Sequence, residues 1–247
     1  MSANTTKVAL VTGANRGIGL ETARGLAELG MTVIIGARDL AKGNAAAAAL
    51  REQGLQAVAV HYDADDSKTI ATVHDYIAAQ FGKLDVLVNN AGISEEQLMG
   101  GNNSADVALD AVRHTFEVNL FAVIALTQRL LPLIRKAEAG RIVNLSSILG
   151  SLTLHSMADS PIAPAKSFAY NTSKTALNGW TVHLADALRD TNIKVNSAHP
   201  GWVKTELGGE HAPMELVDSN KTSLFLATLP ADGVTGGFFH EHASLPW

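Results

Sequence analysis

The chain has 247 residues, of which 47% are hydrophobic and 17% charged, so it can bury a large core as one α/β domain or two small ones. Its 24 acidic side chains outnumber the 19 basic ones, and the net charge of −5 argues against nucleic-acid binding. The lack of cysteine excludes disulfides, thiolate metal sites and cysteine nucleophiles. The polar N-terminus and the shortness of the longest central apolar run, Leu120–Leu126, predict a cytoplasmic protein that does not enter a membrane.

Short apolar or β-branched runs alternate with longer helical patterns along the chain. Strands are predicted near residues 7–12, 31–36, 56–61, 84–88, 140–146, 193–198 and 236–240. Helices are predicted near residues 17–29, 39–53, 67–81, 105–136, 168–190 and 214–228. This alternation favours a Rossmann-type, doubly wound α/β fold with a mostly seven-stranded parallel sheet and helices on both faces. No linker divides the chain, so we expect a single domain over residues 1–247.

Three segments between the predicted elements have no clean periodicity or follow a strand directly. They cover residues 94–104, 149–166 and about 202–214. Ligands bind at the carboxyl ends of strands in open α/β sheets, and each of these segments follows such an end. We therefore expect substrate loops there, with Leu149, Leu152, Leu154, Trp202 and Leu207 forming an apolar pocket.

A glycine-rich turn follows the first predicted strand. Its sequence, Thr12-Gly-Ala-Asn-Arg-Gly-Ile-Gly19, has the pattern G-x-x-x-G-x-G and leads into a helix. Gly13 permits a tight turn, while Gly17 and Gly19 let the backbone and the helix N-terminus approach an anionic pyrophosphate. The turn therefore predicts a dinucleotide site.

The end of the second predicted strand indicates which dinucleotide binds. An acidic residue commonly binds the ribose 2′-hydroxyl at this point, but Ala37 and Arg38 stand here instead. Arg38, together with Arg16 of the glycine-rich turn, offers positive charge to a 2′-phosphate. We therefore expect NADP(H) rather than NAD(H).

Tyr170 and Lys174 are four residues apart on one predicted helix, so their side chains project from one face. An ammonium group a few ångströms away can supply the free energy needed to lower the pKa of a tyrosine toward neutrality. The pair therefore predicts a general acid, Tyr170, whose pKa is lowered by Lys174. A serine hydroxyl at the end of the fifth strand could bind a carbonyl oxygen beside it, and Ser146 and Ser147 are the two candidates because strand alternation exposes only one of them.

Together, the motifs of the chain resemble the classical short-chain dehydrogenases/reductases over essentially its full length. The matched elements are Thr12–Gly19, Asp63, Asn89-Asn90-Ala91-Gly92, Asn119, Ser147, Tyr170-x-x-x-Lys174, Pro200-Gly201 and Thr205. Residues 7–92 and the sequence Gly236-Gly237-Phe238-Phe239 look most like the NADP-linked carbonyl reductases of that family.

The resemblance implies roles for particular residues. It implies a catalytic set of Asn119, Ser147, Tyr170 and Lys174, favours Ser147 over Ser146, and assigns to Asn119 a water that links Lys174 to solvent. Asp63 and Ala64 would contact adenine, and Thr205 the nicotinamide carboxamide. The full set expected at the cofactor is Gly13, Asn15, Arg16, Gly17, Ile18, Gly19, Arg38, Asp63, Ala64, Asn90, Ala91, Gly92, Tyr170, Lys174, Pro200, Gly201, Val203 and Thr205.

The expected activity is NADPH-dependent reduction of a small ketone or aldehyde to the alcohol. The alternatives are a secondary-alcohol dehydrogenase, a reductase of ketones bound to an acyl carrier, and a catalytically silent NADP-binding regulator. No metal is expected, because His240-Glu241-His242 lacks zinc-protease spacing. The segment between Ser147 and Tyr170 is about ten residues longer than in the shortest family members, so a dimer, a tetramer and a monomer all remain open.

Overall fold

The computed structural model describes residues 6–98, 102 and 104–247. Eight strands form one sheet in the order β3-β2-β1-β4-β5-β6-β7-β8. Neighbouring strands are parallel except for β7 and β8, which are antiparallel. The strands are β1 Val8–Thr12, β2 Thr32–Ala37, β3 Ala57–His61, β4 Val86–Asn89, β5 Arg141–Leu145, β6 Lys194–His199, β7 Phe238–His240 and β8 Ala243–Ser244.

Helices connect the strands in the alternating order that the sequence predicts. They are α1 Gly17–Glu28, α2 Leu40–Glu52, α3 Lys68–Gln80, α4 Leu109–Phe116, α5 Ala122–Ile134, α6 Leu152–Ser156, α7 Phe168–Ala187 and α8 Lys221–Ala227. The Asp39 carboxylate accepts a hydrogen bond from the backbone N–H of Lys42 at 3.1 Å and so caps α2, as its position before an alanine-rich helix predicts.

Both faces of the sheet are buried, as in a doubly wound fold. In β1, Ala9 and Val11 belong to the core cluster formed with α1, α2 and α8, whereas Val8 and Leu10 belong to the cluster formed with α3, α5 and α7. Because successive side chains of a strand point to opposite faces, the nearly continuous apolar run of β1 serves both cores.

The strand order reverses at β1, which pairs with β2 on one side and with β4 on the other. A crevice forms at such a reversal outside the carboxyl ends of the strands, and ligands of open α/β sheets bind in it. Thr12 and Asn89 end the two strands that border this crevice.

The structure corrects three details of the expected secondary structure. The seven expected strands are present, and the chain after β7 turns back to add the two-residue antiparallel β8. The helix expected at 214–228 is replaced by a 3₁₀ turn at Leu216–Asp218 and the shorter helix Lys221–Ala227, and its expected first residue, Met214, instead pairs with Val203 in an isolated bridge. The helix expected at 105–136 begins only at Leu109 and changes to a π turn at Glu117–Phe121 before continuing as α5.

Segment 149–166, expected to be a loop, contains local helix. Ser147 caps a 3₁₀ turn at Ile148–Gly150, because its Oγ accepts a hydrogen bond from the N–H of Leu149, and Ser151 caps α6 in the same way.

The continuous helix Leu109–Ile134 is long and apolar enough to cross a membrane, with a mean hydropathy of 1.4 in its most apolar window. In that window 56% of the residues are buried inside the fold. A core helix of a globular fold meets the same criterion, so the apolar character of this helix follows from its place in the core.

Candidate active site

The glycine-rich turn leaves the helix N-terminus of α1 open to an anion. Gly13 and Gly17 have φ angles of 65° and 60°, which disfavour residues with a Cβ atom. A Cβ on Gly19 would lie 2.5 Å from Nδ2 of Asn90, so only glycine fits there. The first turn of α1 contains no acidic residue and no side chain caps it, so its N–H groups remain available to a phosphate.

Thr12 connects the segment after β4 to this turn by hydrogen bonds. Its Oγ1 accepts hydrogen bonds from the backbone N–H groups of Asn90 and Ala91, both at 3.0 Å. The side chain of Asn90 donates to the carbonyl oxygen of Thr12 at 2.7 Å. Thr12 was not among the expected cofactor residues, although its place at the strand end directly before Gly13 could have indicated this role.

Two adjoining cavities follow the carboxyl ends of the strands. The first, of about 350 Å³, is lined by Gly13, Asn15, Arg16, Arg38, Asp39, Lys42, Tyr62, Asp63, Ala64, Asp65, Asn90, Ala91, Gly92, Ile93 and Val118. The second, of about 400 Å³, is lined by Gly13, Arg16, Gly17, Ile18, Gly19, Asn90, Gly92, Leu145, Ser146, Tyr170, Lys174, Pro200, Lys204, Thr205, Glu206, Leu207 and Leu216. They share the glycine-rich turn and together form a groove across the crevice.

The structure thus brings most of the expected cofactor residues to one groove. Arg38 and Lys42 lie at the end of the groove that also holds Asp63 and Ala64, while Pro200 and Thr205 lie at the end that holds Tyr170. Gly201 and Val203 flank the segment without lining either cavity; Gly201 has a φ of 100°, and Val203 is buried in its bridge to Met214.

Tyr170 and Lys174 line the second cavity, with Ser147 beside the tyrosine, and each of the three residues is less than 10% exposed. The hydroxyl of Ser147 lies near enough to Tyr170 to lower the pKa of the tyrosine. The Nζ of Lys174 lies 5.6 Å from the centre of the Tyr170 ring and donates a hydrogen bond to the carbonyl oxygen of Leu145 at 2.8 Å. Ser146 lines the second cavity, and its Oγ lies 3.5 Å from the backbone oxygen of Lys174. Ser147 is the candidate serine whose hydroxyl acts on the pKa of Tyr170.

Burial governs the protonation of this group. It raises the pKa of Tyr170 to about 12, and the hydrogen bond from Ser147 opposes that rise. Burial also lowers the pKa of Lys174 to about 8. The sequence leads one to expect a lowered tyrosine pKa, but the loss of water around both groups disfavours the phenolate more than the ammonium group favours it. At neutral pH Tyr170 therefore keeps its proton, and Lys174 is mainly charged.

Asn119 lies in the π turn and is fully buried. Its side chain pairs with the backbone of Ile93, accepting from the N–H at 2.8 Å and donating to the oxygen at 2.9 Å. It also donates to the Oγ of Ser173 at 3.0 Å. Asn119 therefore connects the segment after β4 to the helix that carries Tyr170 and Lys174.

The expected substrate side chains are more dispersed. Leu207 lines the second cavity, whereas Leu149, Leu152, Leu154 and Trp202 line neither cavity. Leu152 is 60% exposed on α6, and the indole N–H of Trp202 donates to the carbonyl oxygen of Gly208 at 2.7 Å. Within the described residues, no group of three or more His, Cys, Asp or Glu side chains could hold a metal ion.

Comparison with known proteins agrees with this geometry. A sequence profile of the short chain dehydrogenase family matches residues 7–216. The chain belongs to the short-chain dehydrogenase/reductase family of oxidoreductases.

Individual relatives refine the comparison. The chain is 31% identical to carbonyl reductase [NADPH] 1 of Macaca fascicularis, with 98% of each chain covered. It is 39% identical to cis-4-hydroxycyclohexanecarboxylate dehydrogenase of Sinomonas cyclohexanicum over 81% of this chain and 75% of the relative. The crystal structure of NADPH-bound carbonyl reductase from chicken fatty liver superposes with a TM-score of 0.83 at 25% identity, covering 98% of this chain and 99% of the other.

Proposed function

We propose that this protein reduces a ketone or aldehyde to the alcohol with NADPH. The observation that carries the proposal is the position of Tyr170 and Lys174, which line the groove that begins at the glycine-rich turn, with Ser147 beside the tyrosine. Two adjacent hydroxyls can both hydrogen-bond a carbonyl oxygen, and one of them can donate its proton as the oxygen gains charge.

Four side chains would each have a separate role in this reaction. Ser147 would orient the carbonyl oxygen. Tyr170, which keeps its proton because burial raises its pKa to about 12, would donate that proton to the oxygen. Lys174 lies close enough to favour the resulting phenolate, and Asn119 would hold the surrounding backbone and connect Lys174 to solvent.

The groove also fits the proposed cofactor. When bound, NADPH would supply the hydride. The open space at Gly17, where a Cβ would meet no atom within 4 Å, and the open N-terminus of α1 suit a pyrophosphate. The first cavity is lined by three cations, Arg16, Arg38 and Lys42, as well as by Asp39, Asp63 and Asp65. The two arginines suit a 2′-phosphate and support NADPH over NADH.

Oxidation of an alcohol is the reverse of the same reaction. The relative from Sinomonas cyclohexanicum is named a dehydrogenase, and it shares 39% identity with this chain. The same residues would act in that direction, with Tyr170 accepting the proton. The available substrate would therefore determine the physiological direction.

The test is consumption of NADPH, followed by absorbance, with a panel of aromatic, cyclic and aliphatic ketones and aldehydes. We expect turnover with NADPH that exceeds turnover with NADH, and loss of that turnover in Tyr170→Phe. A wild-type protein no more active than Tyr170→Phe across the panel, and in the reverse direction with the corresponding alcohols, would contradict the proposal. Binding of NADPH without turnover would instead support the silent regulator.

A further inference from the structure

The first turn of α7, which carries Tyr170, has no cap of its own. The Oγ of Ser167, the residue before the helix, does not bond any of the free N–H groups. It donates instead to the carbonyl oxygen of Gln97 at 2.5 Å. The first turn also contains no acidic side chain. Helix N-termini leave several N–H groups without a partner inside the helix, so these groups need one from elsewhere.

Glu96 supplies that partner from more than seventy residues away. Its carboxylate accepts hydrogen bonds from the backbone N–H groups of Phe168 at 3.1 Å, Ala169 at 2.6 Å and Tyr170 at 3.3 Å. A carboxylate at a helix N-terminus interacts favourably with the helix dipole, and hydrogen bonds to an ionised acceptor are roughly twice as strong as neutral ones.

This contact bears on the position of the Tyr170 hydroxyl. Ser147 follows β5 and Tyr170 lies in the first turn of α7, and the segment 148–169 connects them. That segment binds the side chains of Asn171 and Thr175 in α7, whereas the N–H groups of the first turn are bound from outside it, by Glu96. Glu96 follows β4, on the same stretch of chain as Gly92 and Ile93, which pack against Asn119.

We propose that Glu96 is a positioning residue for Tyr170, acting by holding the first turn of α7 against the segment that follows β4. This inference rests on the proposed function, since it concerns the proton donor of that reaction. A displacement of about 1 Å at a catalytic group can cost on the order of 100-fold in rate, so the loss of three backbone contacts should affect turnover.

The first experiment compares Glu96→Ala, Glu96→Gln and the matched control Glu95→Ala. Glu95 is the neighbouring carboxylate, and it contacts His114 rather than α7. We expect Glu96→Ala to lower kcat by about 10- to 100-fold while the Kd for NADPH changes by less than about 2-fold, because Glu96 lines neither cavity and the glycine-rich turn is not altered. The kcat of Glu96→Gln, which keeps an acceptor oxygen but loses the charge, should lie between that of the wild type and that of Glu96→Ala. The kcat of Glu95→Ala should stay within about 2-fold of the wild-type value.

A double-mutant cycle separates positioning from general destabilisation. If Glu96 acts through the Tyr170 hydroxyl, Glu96→Ala should cost no further activity in the Tyr170→Phe background. An additive loss in that background would overturn the proposal, as would equal losses of kcat in Glu95→Ala and Glu96→Ala. Should Glu96→Ala fail to fold, Glu96→Gln carries the same comparison.

Amide hydrogen exchange tests the contact without reference to turnover. The amides of Phe168, Ala169 and Tyr170 should exchange faster in Glu96→Ala than in Glu95→Ala, because they lose their acceptor. Unchanged exchange would overturn the proposal even if activity fell. A wild-type protein without carbonyl turnover would contradict the proposed function and the catalytic part of this inference, whereas the exchange result decides separately whether Glu96 holds the helix.

Discussion

Arg16 of the glycine-rich turn forms an ion pair with Glu206, which lies in the segment after β6. The two side chains are 74% and 77% exposed, and both line the second cavity. The pair therefore spans the mouth of the groove and sets a carboxylate against one of the cations that the proposed function assigns to the 2′-phosphate.

Replacing Glu206 should strengthen NADPH binding. In Glu206→Gln the guanidinium of Arg16 loses a competing carboxylate, so the Kd for NADPH should fall by about 2- to 5-fold, since exposed ion pairs are worth at most about 1 kcal/mol. The Kd for NADH should not change. Fluorescence titration at low and high salt measures both. Asp218→Asn, which removes a carboxylate paired with Lys221, is the control, because neither of these residues lines the groove; an equal gain there, or a gain that persists at high salt, contradicts the prediction.

Arg38 should determine the preference between the two nicotinamide cofactors. A hydrogen bond to a charged group is worth about 1.5 to 3 kcal/mol, so Arg38→Ala should lower the NADPH-to-NADH ratio of kcat/KM by roughly 10- to 100-fold. NADH-dependent turnover should stay nearly constant. Arg135→Ala removes an exposed arginine just beyond α5 and serves as the matched control. A ratio that stays constant in Arg38→Ala removes this residue from the proposed phosphate site.

Tyr170→Phe should remove the proton donor while leaving the fold and NADPH affinity intact. We expect turnover to fall by about 10²- to 10⁴-fold, the usual contribution of a positioned acid. Because burial raises the tyrosine pKa to about 12, wild-type alcohol oxidation, which needs the phenolate, should increase with pH.

Ser147→Ala should shift that pH profile further upward, since the serine hydrogen bond lowers the Tyr170 pKa. The measurement is the pH dependence of kcat/KM for alcohol oxidation in the wild type and both variants. More than a tenth of wild-type turnover in Tyr170→Phe would exclude the tyrosine as the donor.

Lys174→Met should stabilise the protein while abolishing turnover. Burial lowers the folded-state pKa of Lys174 to about 8 from its ordinary value of 10.5, so the charged form is disfavoured by folding. Below about pH 8 the burial of the charged lysine destabilises the folded state by about 3 kcal/mol. Lys174→Met also loses the hydrogen bond to Leu145, which reduces the stability that the variant gains.

The sign of the pH dependence tests this cause. Between about pH 8 and 10.5 the folded protein has released a proton that the unfolded chain still binds. The unfolding free energy of the wild type therefore increases with pH across this range relative to that of Lys174→Met. Urea unfolding at several pH values should show the advantage of the variant shrinking across that range. Lys68→Met, at an exposed lysine of α3, should show no such change. A variant no more stable than the wild type at neutral pH contradicts the burial argument.

Features set by neighbours in the chain could be predicted from the sequence. The alternation of strands and helices, the glycine-rich turn and the four-residue spacing of Tyr170 and Lys174 all depend on local geometry. The choice of Ser147 over Ser146 came from the family resemblance. The different surroundings of the two serines became visible only in the structure.

Features that depend on residues distant in sequence could not be predicted in the same way. The contacts of Glu96 with α7 and of Arg16 with Glu206 join segments more than seventy residues apart. The spacing of Tyr170 and Lys174 places a charge near the hydroxyl and so predicts a lowered tyrosine pKa, but the burial that raises this pKa follows only from the packed fold. The same reason explains why Leu152, an apolar residue expected in the pocket, lies exposed on α6.

The π turn at Glu117–Phe121 changes the phase of a long helix. One additional residue in a helical turn rotates everything beyond it by about 100° relative to a regular α-helix. The buried stripe of α5, which includes Leu126 and Leu130, can thus face the sheet while Asn119 points toward Ile93 and Ser173. A core helix thus places one buried amide behind the groove, against Ile93 and Ser173, without losing alignment of its apolar side. The irregular turn allows apolar packing and polar hydrogen bonding to follow different periodicities in one continuous helix.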